Sequence, residues 1–459
     1  HHVAARDAQV SDSFTDTDVA NSKRLARQHG QDLHFTTERA WFAYDGKRWV
    51  CDEKGICVQA LAKKTALSIF DEIKLSADQK TMIAHAKRSQ SKNAIDSMIW
   101  LARSEMGIPI SLTDFDTDRK LLNVANGTVN LESGALQDHR REDLMSNIAN
   151  VSYDNEAECE LWDAFVWRIT DQNEELYKYL RRFVGYLLGG DTSDQSLHFL
   201  YGAGANGKSV FCEVLMRLLG DYAVSVSPEM IMARRYSGIP NDVARLRGVR
   251  VAFMNETSQG SKFDEAKLKD LTGGDTLSAR FLHHEFFEFS PTHKLVIRGN
   301  HKPTISGNDE GIWRRLRLVP FSVSIPIEEQ DRTLLWKLEQ ELPGILQWAL
   351  RGYREWRERG LQPPEIITAA VSEYRAESDT LGRFIEEHCE KRANAQVKSS
   401  VFFTRYQEFC HTAGERWMAS KDLPHEMEKR GFRRKRTKAC SVFEGLELNN
   451  FTEAWDRSV

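Results

Sequence analysis

The sequence of 459 residues predicts an α/β fold, with an α+β accessory domain before the central domain and a winged-helix-like domain after it. Three observations carry this prediction. Apolar strand patterns alternate with helical patterns between residues 191 and 325, which is typical of a parallel sheet covered by helices. Short strand patterns flank the turn signals Asp45-Gly46 and Asn126-Gly127. Two or three helices followed by a basic strand pair end the chain.

Changes in pattern along the chain give the domain boundaries. Apolar residues recur at helical spacing from 156 to 188, and a second helical stretch covers 328–375 before Pro363-Pro364 leads into the last domain. The predicted parts are a disordered tag or linker (1–20), the α+β accessory domain (21–150), a helical collar (151–190), the α/β core (191–325), a helical segment packing on the core (326–378), the winged-helix-like domain (379–450) and a tail (451–459).

Composition excludes several classes of protein. No apolar run approaches the roughly 20 residues of a membrane-spanning helix, and no signal peptide is evident, so we expect a cytoplasmic protein. The seven cysteines lack the paired spacing of a disulfide framework or a zinc ribbon. Because the net charge is −4, any contact with DNA must come from local patches or from the interior of a ring. The predicted contacts of the basic patch "KRGFRRKRTK" (429–438) are Arg433, Arg434, Lys435 and Arg436.

A glycine-rich loop, "GAGANGKS" (202–209), lies between a buried strand pattern and a helical pattern that ends at Gly220. Its spacing fits G-x-x-x-x-G-K-[ST], in which backbone N–H groups and the helix N-terminus bind phosphate oxygens. The sequence therefore predicts a site for ATP and Mg²⁺, with Lys208 on the β/γ-phosphates and Ser209 on the metal ion. The predicted nucleotide contacts are Gly202, Gly204, Asn206, Gly207, Lys208 and Ser209.

Polar residues follow further strand patterns of the core. The strand "VRVAFMNE" ends at Glu256, which is a candidate for orienting Mg²⁺ or activating the attacking water. The strand "HKLVIRGN" ends at Asn300, whose amide can donate and accept hydrogen bonds near a γ-phosphate. The segment "GIWRRLRLVPF" (311–321) presents Arg314 and Arg315 after an exposed loop, where arginines could act on the nucleotide of a neighbouring subunit.

These motifs resemble those of superfamily 3 helicases, in the branch of phage and plasmid primase-helicases and poxviral D-type primase-helicases. The resemblance is carried by "GAGANGKS", "VRVAFMNE", "LKDLTGGDTLSAR", "VIRGN" and "WRRLRLVPF", while "WFAYDGKRW" and "LLNVANGTVNL" are similar to the accessory domain of such proteins. It covers about residues 21–450. It implies an AAA+ core that forms a homo-hexameric ring on single-stranded and forked DNA, moves 3′→5′ using ATP, and replicates a phage, plasmid or integrated element in a bacterial cytoplasm.

The resemblance also implies residue roles. Glu256 is the acidic strand residue, Asn300 the sensor, Lys269 a second basic nucleotide contact, and Arg314 or Arg315 the finger that acts in trans. The hairpin with Arg280, His283 and His284 would grip single-stranded DNA in a central pore. Two departures stand out: the usual acidic pair is Asn255-Glu256 here, and two histidines replace the usual lysine at the hairpin tip.

Two other functions are compatible with parts of this pattern. A DNA-binding replication initiator or regulator would use the ATPase as an assembly switch without unwinding DNA, and its sequence support is the same basic patch. A small-molecule P-loop kinase is disfavoured, because the hairpin and the arginines suit a subunit interface better than a substrate lid. Primase-helicases often carry a primase domain upstream, and this sequence has too few residues before the accessory domain to hold one. We expect such a domain either to lie outside this fragment or to be missing altogether, and we expect no priming activity from the chain by itself.

Overall fold

The computed structural model describes residues 15–36, 40–233, 241–255, 262–280, 286–303, 305, 310–415, 417–437 and 440–449. The chain divides into two compact units. The first comprises His1–Pro303 with Arg314–Ile367, and the second comprises Thr304–Trp313 with Thr368–Val459. No helix of the described ranges combines the length and the apolar character that crossing a membrane requires.

The amino-terminal part of the first unit contains four helices and two small antiparallel sheets. The helices are α1 (Asp18–His29), α2 (Ile56–Glu72), α3 (Gln79–Arg88) and α4 (Lys92–Ala102). The sheets are β1 (Leu33–Thr36), β2 (Ala40–Tyr44) and β3 (Trp49–Asp52), and β4 (Leu121–Val124), β5 (Gly127–Asn130) and β6 (Leu136–Gln137). Both predicted hairpins are confirmed, since Tyr44 pairs with Trp49 and Val124 pairs with Gly127. The three consecutive helices α2–α4 were not predicted.

A buried ion pair joins helices α1 and α2. The Arg24 side chain is 0% exposed, and its guanidinium donates to both carboxylate oxygens of Glu72, with Nη2 lying 2.6 Å from Oε2. A charge removed from water is stabilised only when its partner and its hydrogen bonds are in place. This pair therefore fixes how the two helices pack.

His85 of α3 lies next to this ion pair and must be neutral to keep its contacts. Its Nε2 is 3.0 Å from Asn21 Oδ1, and its Nδ1 accepts from Arg88 Nη2 at 3.1 Å. A second proton would sit on Nδ1, directly against a guanidinium. Burial, followed by the charges of Arg24 and Arg88, lowers the pKa of His85 below 6.5, while Asp16 and Asp18 oppose the shift.

This histidine predicts a loss of stability in acid. The unfolded chain takes up a proton at this residue as the pH falls through about 6.5, whereas the folded chain does so only at lower pH. The free energy of unfolding should therefore fall as the pH drops below that value. We expect thermal unfolding midpoints at pH 7.5 and 5.5 to differ less for His85→Gln than for the unaltered protein. Equal differences would contradict the assignment.

Two helices and a five-stranded parallel sheet form the centre of the first unit. The helices α5 (Glu160–Ile169) and α6 (Glu174–Leu188) confirm the predicted helical pattern. The strands of the sheet are β7 (Leu197–Tyr201), β8 (Ala223–Val226), β9 (Val251–Met254), β12 (Lys294–Gly299) and β13 (Leu316–Pro320). Across the sheet they have the order β13-β7-β12-β9-β8. Helices α7 (Lys208–Leu219), α8 (Asn241–Ala244), α9 (Glu265–Gly273), α11 (Leu334–Gln340) and α12 (Leu342–Arg359) follow or connect them, together with the hairpin β10 (Leu277–Ala279) and β11 (Phe287–Phe289).

Two buried cations tie helix α6 to this sheet. Arg250 precedes β9 and donates to the carbonyl oxygens of Leu188 and Leu121, and Lys294 at the start of β12 donates to that of Gly189. The last carbonyls of a helix have no partner within the helix and carry partial negative charge. Burial lowers the pKa of both cations. The accessory strand β4, the helix α6 and the core sheet are thus fixed to one another.

The second unit is a small α+β domain in which one strand lies between the helices and two strands follow them. Its elements are α10 (Glu310–Trp313), α13 (Glu365–Ser378, which begins in the first unit), α14 (Thr380–His388), β14 (Cys389–Lys398), α15 (Ser399–Thr412), α16 (Leu423–Lys429), β15 (Arg434–Arg436) and β16 (Ser441–Leu448). The predicted strand pair is confirmed as β15 and β16. A third strand, β14, was not predicted and gives the sheet the order β14-β16-β15.

Candidate nucleotide-binding site

The glycine-rich loop lies at the carboxyl edge of the parallel sheet. It leaves β7 after Tyr201 and leads into α7 at Lys208, as predicted. Strand β12 lies beside β7 in parallel, with Gly299 opposite Tyr201, and β9 lies on the other side of β12. Residues that follow these strands therefore meet around the loop, where ligands of open α/β sheets bind.

Two glycines of the loop are required by close backbone approaches. Gly207 has φ +85°, and a Cβ atom there would lie 2.6 Å from Ile169 Cγ2 of helix α5. A Cβ atom on Gly202, at φ +150°, would lie 2.2 Å from the carbonyl oxygen of Phe321. Both positions therefore exclude larger side chains, whereas Gly204 is exposed and has no atom within 4 Å of such a Cβ.

The Lys208 ammonium lies inside the loop. It donates to the carbonyl oxygens of Gly202 at 2.6 Å and Ala203 at 3.1 Å, and it is 3.1 Å from Asn206 Oδ1. It also contacts Asn300 Oδ1 across the sheet edge at 3.3 Å. Two predicted site residues from separate motifs, Lys208 and Asn300, are thereby brought together.

The buried side chain of Asn206 connects the glycine-rich loop to the segment that follows β13. It is 4% exposed, and its Nδ2 donates to the carbonyl oxygen of Phe321 at 3.0 Å, just beyond the end of β13. The backbone of Ala205 accepts from Ile325 N at 2.8 Å. Because both contacts come from the segment after β13, the loop conformation depends on that strand as well as on β7.

One residue of the site was missed in the sequence. Arg298 of β12 donates from Nε to Asn255 Oδ1 at 2.7 Å and from Nη1 to the backbone oxygen of Ser209 at 3.4 Å. The available signal was a charged residue near the end of an otherwise apolar strand, "KLVIRG". Ser209 itself is exposed at the first turn of α7.

The arginine pair lies at the opposite edge of the sheet. Strand β13 runs parallel to β7 with Leu316 opposite Leu197, so Arg314 and Arg315 precede the amino end while the loop follows the carboxyl end. Four residue steps separate these edges, which is about 13 Å at 3.3 Å per residue. Within one chain, the arginines are therefore remote from Lys208.

The two arginines differ in exposure. Arg314 is exposed, whereas Arg315 is only 8% exposed. Both donate to Oε1 of Gln195, at 3.3 and 3.4 Å, and the Gln195 amide donates in turn to the backbone oxygen of Gly273 at 2.7 Å. This glutamine joins the arginine segment to the carboxyl end of α9. The same helix carries Lys269, which is half-buried.

The remaining predicted residues fall in three places. Glu256, His283 and His284 lie outside the described residues. Arg280 is exposed beside the hairpin β10–β11, and its guanidinium stacks 5.0 Å from the ring centroid of Phe286, which is 55% exposed. The basic residues Arg433, Arg434, Lys435 and Arg436 are all exposed in the second unit.

One cation of the basic patch is already neutralised, since Lys435 pairs with Glu444 at 2.9 Å. Arg434 donates to the neutral Ser441 Oγ at 3.3 Å and keeps its charge. Within the described ranges, Arg433, Arg434 and Arg436 form no ion pair, and Arg433 and Arg436 are exposed. These three side chains carry the charge that is available to a partner.

Two family models match the chain. Residues 22–171 match the model described as "D5 N terminal like", and residues 200–315 match a family of unknown function, DUF5906. The second match covers the loop, the strands β9 and β12 and the arginine pair. The first covers the accessory domain and helix α5.

Proteins of large DNA viruses are similar in sequence. "Putative helicase L207/L206" of Acanthamoeba polyphaga mimivirus is 28% identical over 317 residues, which cover 64% of this chain and 33% of that protein. "Putative helicase 022R" of Frog virus 3 is 28% identical over 252 residues, 50% of this chain and 26% of that protein. "Putative primase C962R" of African swine fever virus is 24% identical over 338 residues, which cover 65% of this chain and 34% of that protein. The chain spans about a third or less of the length of these relatives.

A solved structure shares the fold. The apo structure of the NrS-1 C terminal region superposes with a TM-score of 0.50 at 8% sequence identity, covering 90% of this chain and 95% of that one. The likeness therefore extends over both units. In sequence, the chain is therefore similar to proteins of large DNA viruses that are named as helicases and primases, and its amino-terminal part matches the "D5 N terminal like" model.

Proposed function

We propose that the chain is an ATP-dependent, ring-forming DNA helicase that translocates 3′→5′ during replication of a virus or mobile element. The observation that carries the proposal is the contact between Lys208 and Asn300 at the carboxyl edge of a parallel sheet. It joins a phosphate-loop lysine to a polar strand terminus, as nucleotide hydrolysis requires. The order β13-β7-β12-β9-β8 of the parallel sheet supports an AAA+ core. We expect the protein to act in the cytoplasm of the host cell, which is bacterial for a phage or plasmid.

The site residues have distinct tasks in this proposal. Phosphate oxygens of ATP would replace the loop carbonyls as acceptors of the Lys208 ammonium, and the loop N–H groups would bind the same phosphates. The Asn300 amide is within reach of Lys208, so it would orient the attacking water beside the γ-phosphate. Glu256 is the proposed activating or metal-orienting acid, and Lys269 remains a proposed nucleotide contact.

The donor set fits Mg²⁺. This ion keeps several waters and binds nucleotide phosphates together with one or two protein oxygens, so it needs no cluster of protein ligands. The described residues contain no group of three His, Cys, Asp or Glu side chains that could hold a metal, and the Ser209 hydroxyl is exposed at the start of α7. Ser209 and Glu256 would hold the ion, which would neutralise charge on the phosphates.

The finger in trans is assigned to Arg314. It is exposed, whereas Arg315 is buried, and about 13 Å separate the two edges of the sheet. Arg314 would therefore act on the nucleotide of a neighbouring subunit and stabilise the charge that develops in phosphoryl transfer. Gln195 holds it against the end of α9.

Two surfaces would contact DNA. The hairpin β10–β11, with Arg280 stacked on the exposed Phe286 and with His283 and His284, would hold a single strand in the pore. From α14 onward, the second unit runs helix, strand, two helices and two strands, an order that supports a winged helix, and Arg433 and Arg436 at β15 would contact phosphates. A primase or another replication protein would act as partner.

Lys208→Ala tests this function. ATP hydrolysis should be stimulated by single-stranded DNA in the unaltered protein and should fall about 10²–10³-fold in the variant, because a preorganised cation is lost from the phosphate site. Forked DNA with a 3′ or a 5′ tail then measures unwinding and its direction. Hydrolysis that is indifferent to DNA, with ATP-dependent assembly and no unwinding, would favour the initiator or regulator instead.

A further inference from the structure

We infer that Arg298 is a positioning residue of the nucleotide site, which acts by orienting Asn255. The inference rests on the proposed function and extends it to two residues to which no role has been assigned. Arg298 joins three parts of the site, since it belongs to β12, donates to the side chain beyond the end of β9, and donates to the first turn of α7. These parts carry Asn300, Asn255 and Ser209, respectively.

The hydrogen-bond pattern decides how Asn255 is oriented. Its Oδ1 accepts from Arg298 Nε at 2.7 Å, so its two Nδ2 protons are left to donate elsewhere. An asparagine held in this way enters the site as a hydrogen-bond donor. It suits phosphate or water oxygens, which accept, and it is unsuited to act as a base.

Arg298 is also suited to this task by its own environment. Within the described ranges its hydrogen bonds are to neutral oxygens, and it forms no ion pair with a carboxylate there. A planar guanidinium can hold two acceptors in fixed directions, which an ammonium cannot do. Arg298 is itself half-buried.

The test is a double-mutant cycle on Arg298 and Asn255. We expect Arg298→Ala and Asn255→Ala each to lower kcat about 10–100-fold, as expected for residues that orient a neighbour in a reactive site. The ATP dissociation constant should change less than about threefold. If Arg298 acts through Asn255, the double variant should be no slower than either single variant. Arg298→Lys should recover only part of the rate.

A matched control separates positioning from stability. Arg217 lies on α7 and pairs with Glu339, far along the helix from Ser209, so Arg217→Ala should leave kcat unchanged. The inference is overturned if Arg298→Ala retains full kcat, or if the losses of the two single variants multiply in the double variant. It is also overturned if the thermal midpoint of Arg298→Ala falls together with its kcat, as in a general loss of folding.

Failure of the proposed function would look different. If neither the unaltered protein nor Lys208→Ala hydrolysed ATP, the helicase proposal would fail. The interaction of Arg298 with Asn255 would then be tested through the binding of ADP. The rise in thermal midpoint caused by ADP is then measured for the unaltered protein, the two single variants and the double variant, because this measurement requires no turnover. A non-additive rise supports the pairing of Arg298 with Asn255, and an additive one overturns it.

Discussion

Replacing Arg314 by alanine should lower kcat for ATP hydrolysis about 10³–10⁵-fold, the range known for arginine fingers, while ATP binding stays within about threefold. The reason is that Arg314 lies at the amino edge of the sheet and touches no part of its own phosphate loop. Its charge would matter only when phosphoryl transfer occurs in the next subunit. Rates at saturating ATP, with binding measured separately, check this expectation.

Mixed assemblies distinguish action in trans from action in cis. Lys208→Ala subunits keep Arg314, and Arg314→Ala subunits keep the phosphate loop. In a random equal mixture about a quarter of the interfaces combine the two intact halves, so activity should return although both variants are inactive alone. Arg332→Ala, at an exposed position of the same unit, is the control and should stay active. A mixture that remains inactive would contradict the assignment.

Glu72→Gln should destabilise the amino-terminal helices by about 3–5 kcal/mol, because it leaves the buried charge of Arg24 without its counter-charge. The Arg24 side chain is 0% exposed and makes three hydrogen bonds to this carboxylate. Urea unfolding followed by circular dichroism measures the change. Asp71→Asn removes an exposed charge from the same helix and should cost less than about 1 kcal/mol.

A second variant shows whether the cost comes from an unpaired charge. Replacing both partners by apolar residues, Arg24→Met with Glu72→Leu, should recover most of the lost stability, since a buried ion pair is often no more stabilising than apolar side chains of similar volume. If Glu72→Gln and Asp71→Asn had equal effects, the pair would not hold the helices together.

The features that were predicted correctly depend on short stretches of sequence. The phosphate loop and the hairpins at Asp45-Gly46 and Asn126-Gly127 are local, because glycines and turn residues determine them within a few positions. Three strands of the core sheet, β7, β9 and β12, were predicted because buried parallel strands are continuous apolar runs.

The features that were missed depend on distant contacts or lack an apolar pattern. Strand β14 is at an edge of its sheet and has the mostly exposed sequence "CEKRANAQVK", in which only Cys389 and Val397 are buried. Edge strands often carry charges in place of alternating apolar residues. The ion pair of Arg24 with Glu72 joins residues 48 positions apart, and the role of Arg298 depends on Asn255, which lies just beyond the end of β9 and is 43 positions away in the chain.

The register of β13 against β7 makes a lone subunit an incomplete enzyme. It separates the loop from Arg314 by the length of the sheet, so a complete site would need the loop of one subunit and Arg314 of another. A two-fold pair would form two such sites reciprocally, whereas head-to-tail packing would repeat the same pairing at every interface of a ring. Specific activity should then rise steeply with protein concentration, as assemblies replace lone subunits.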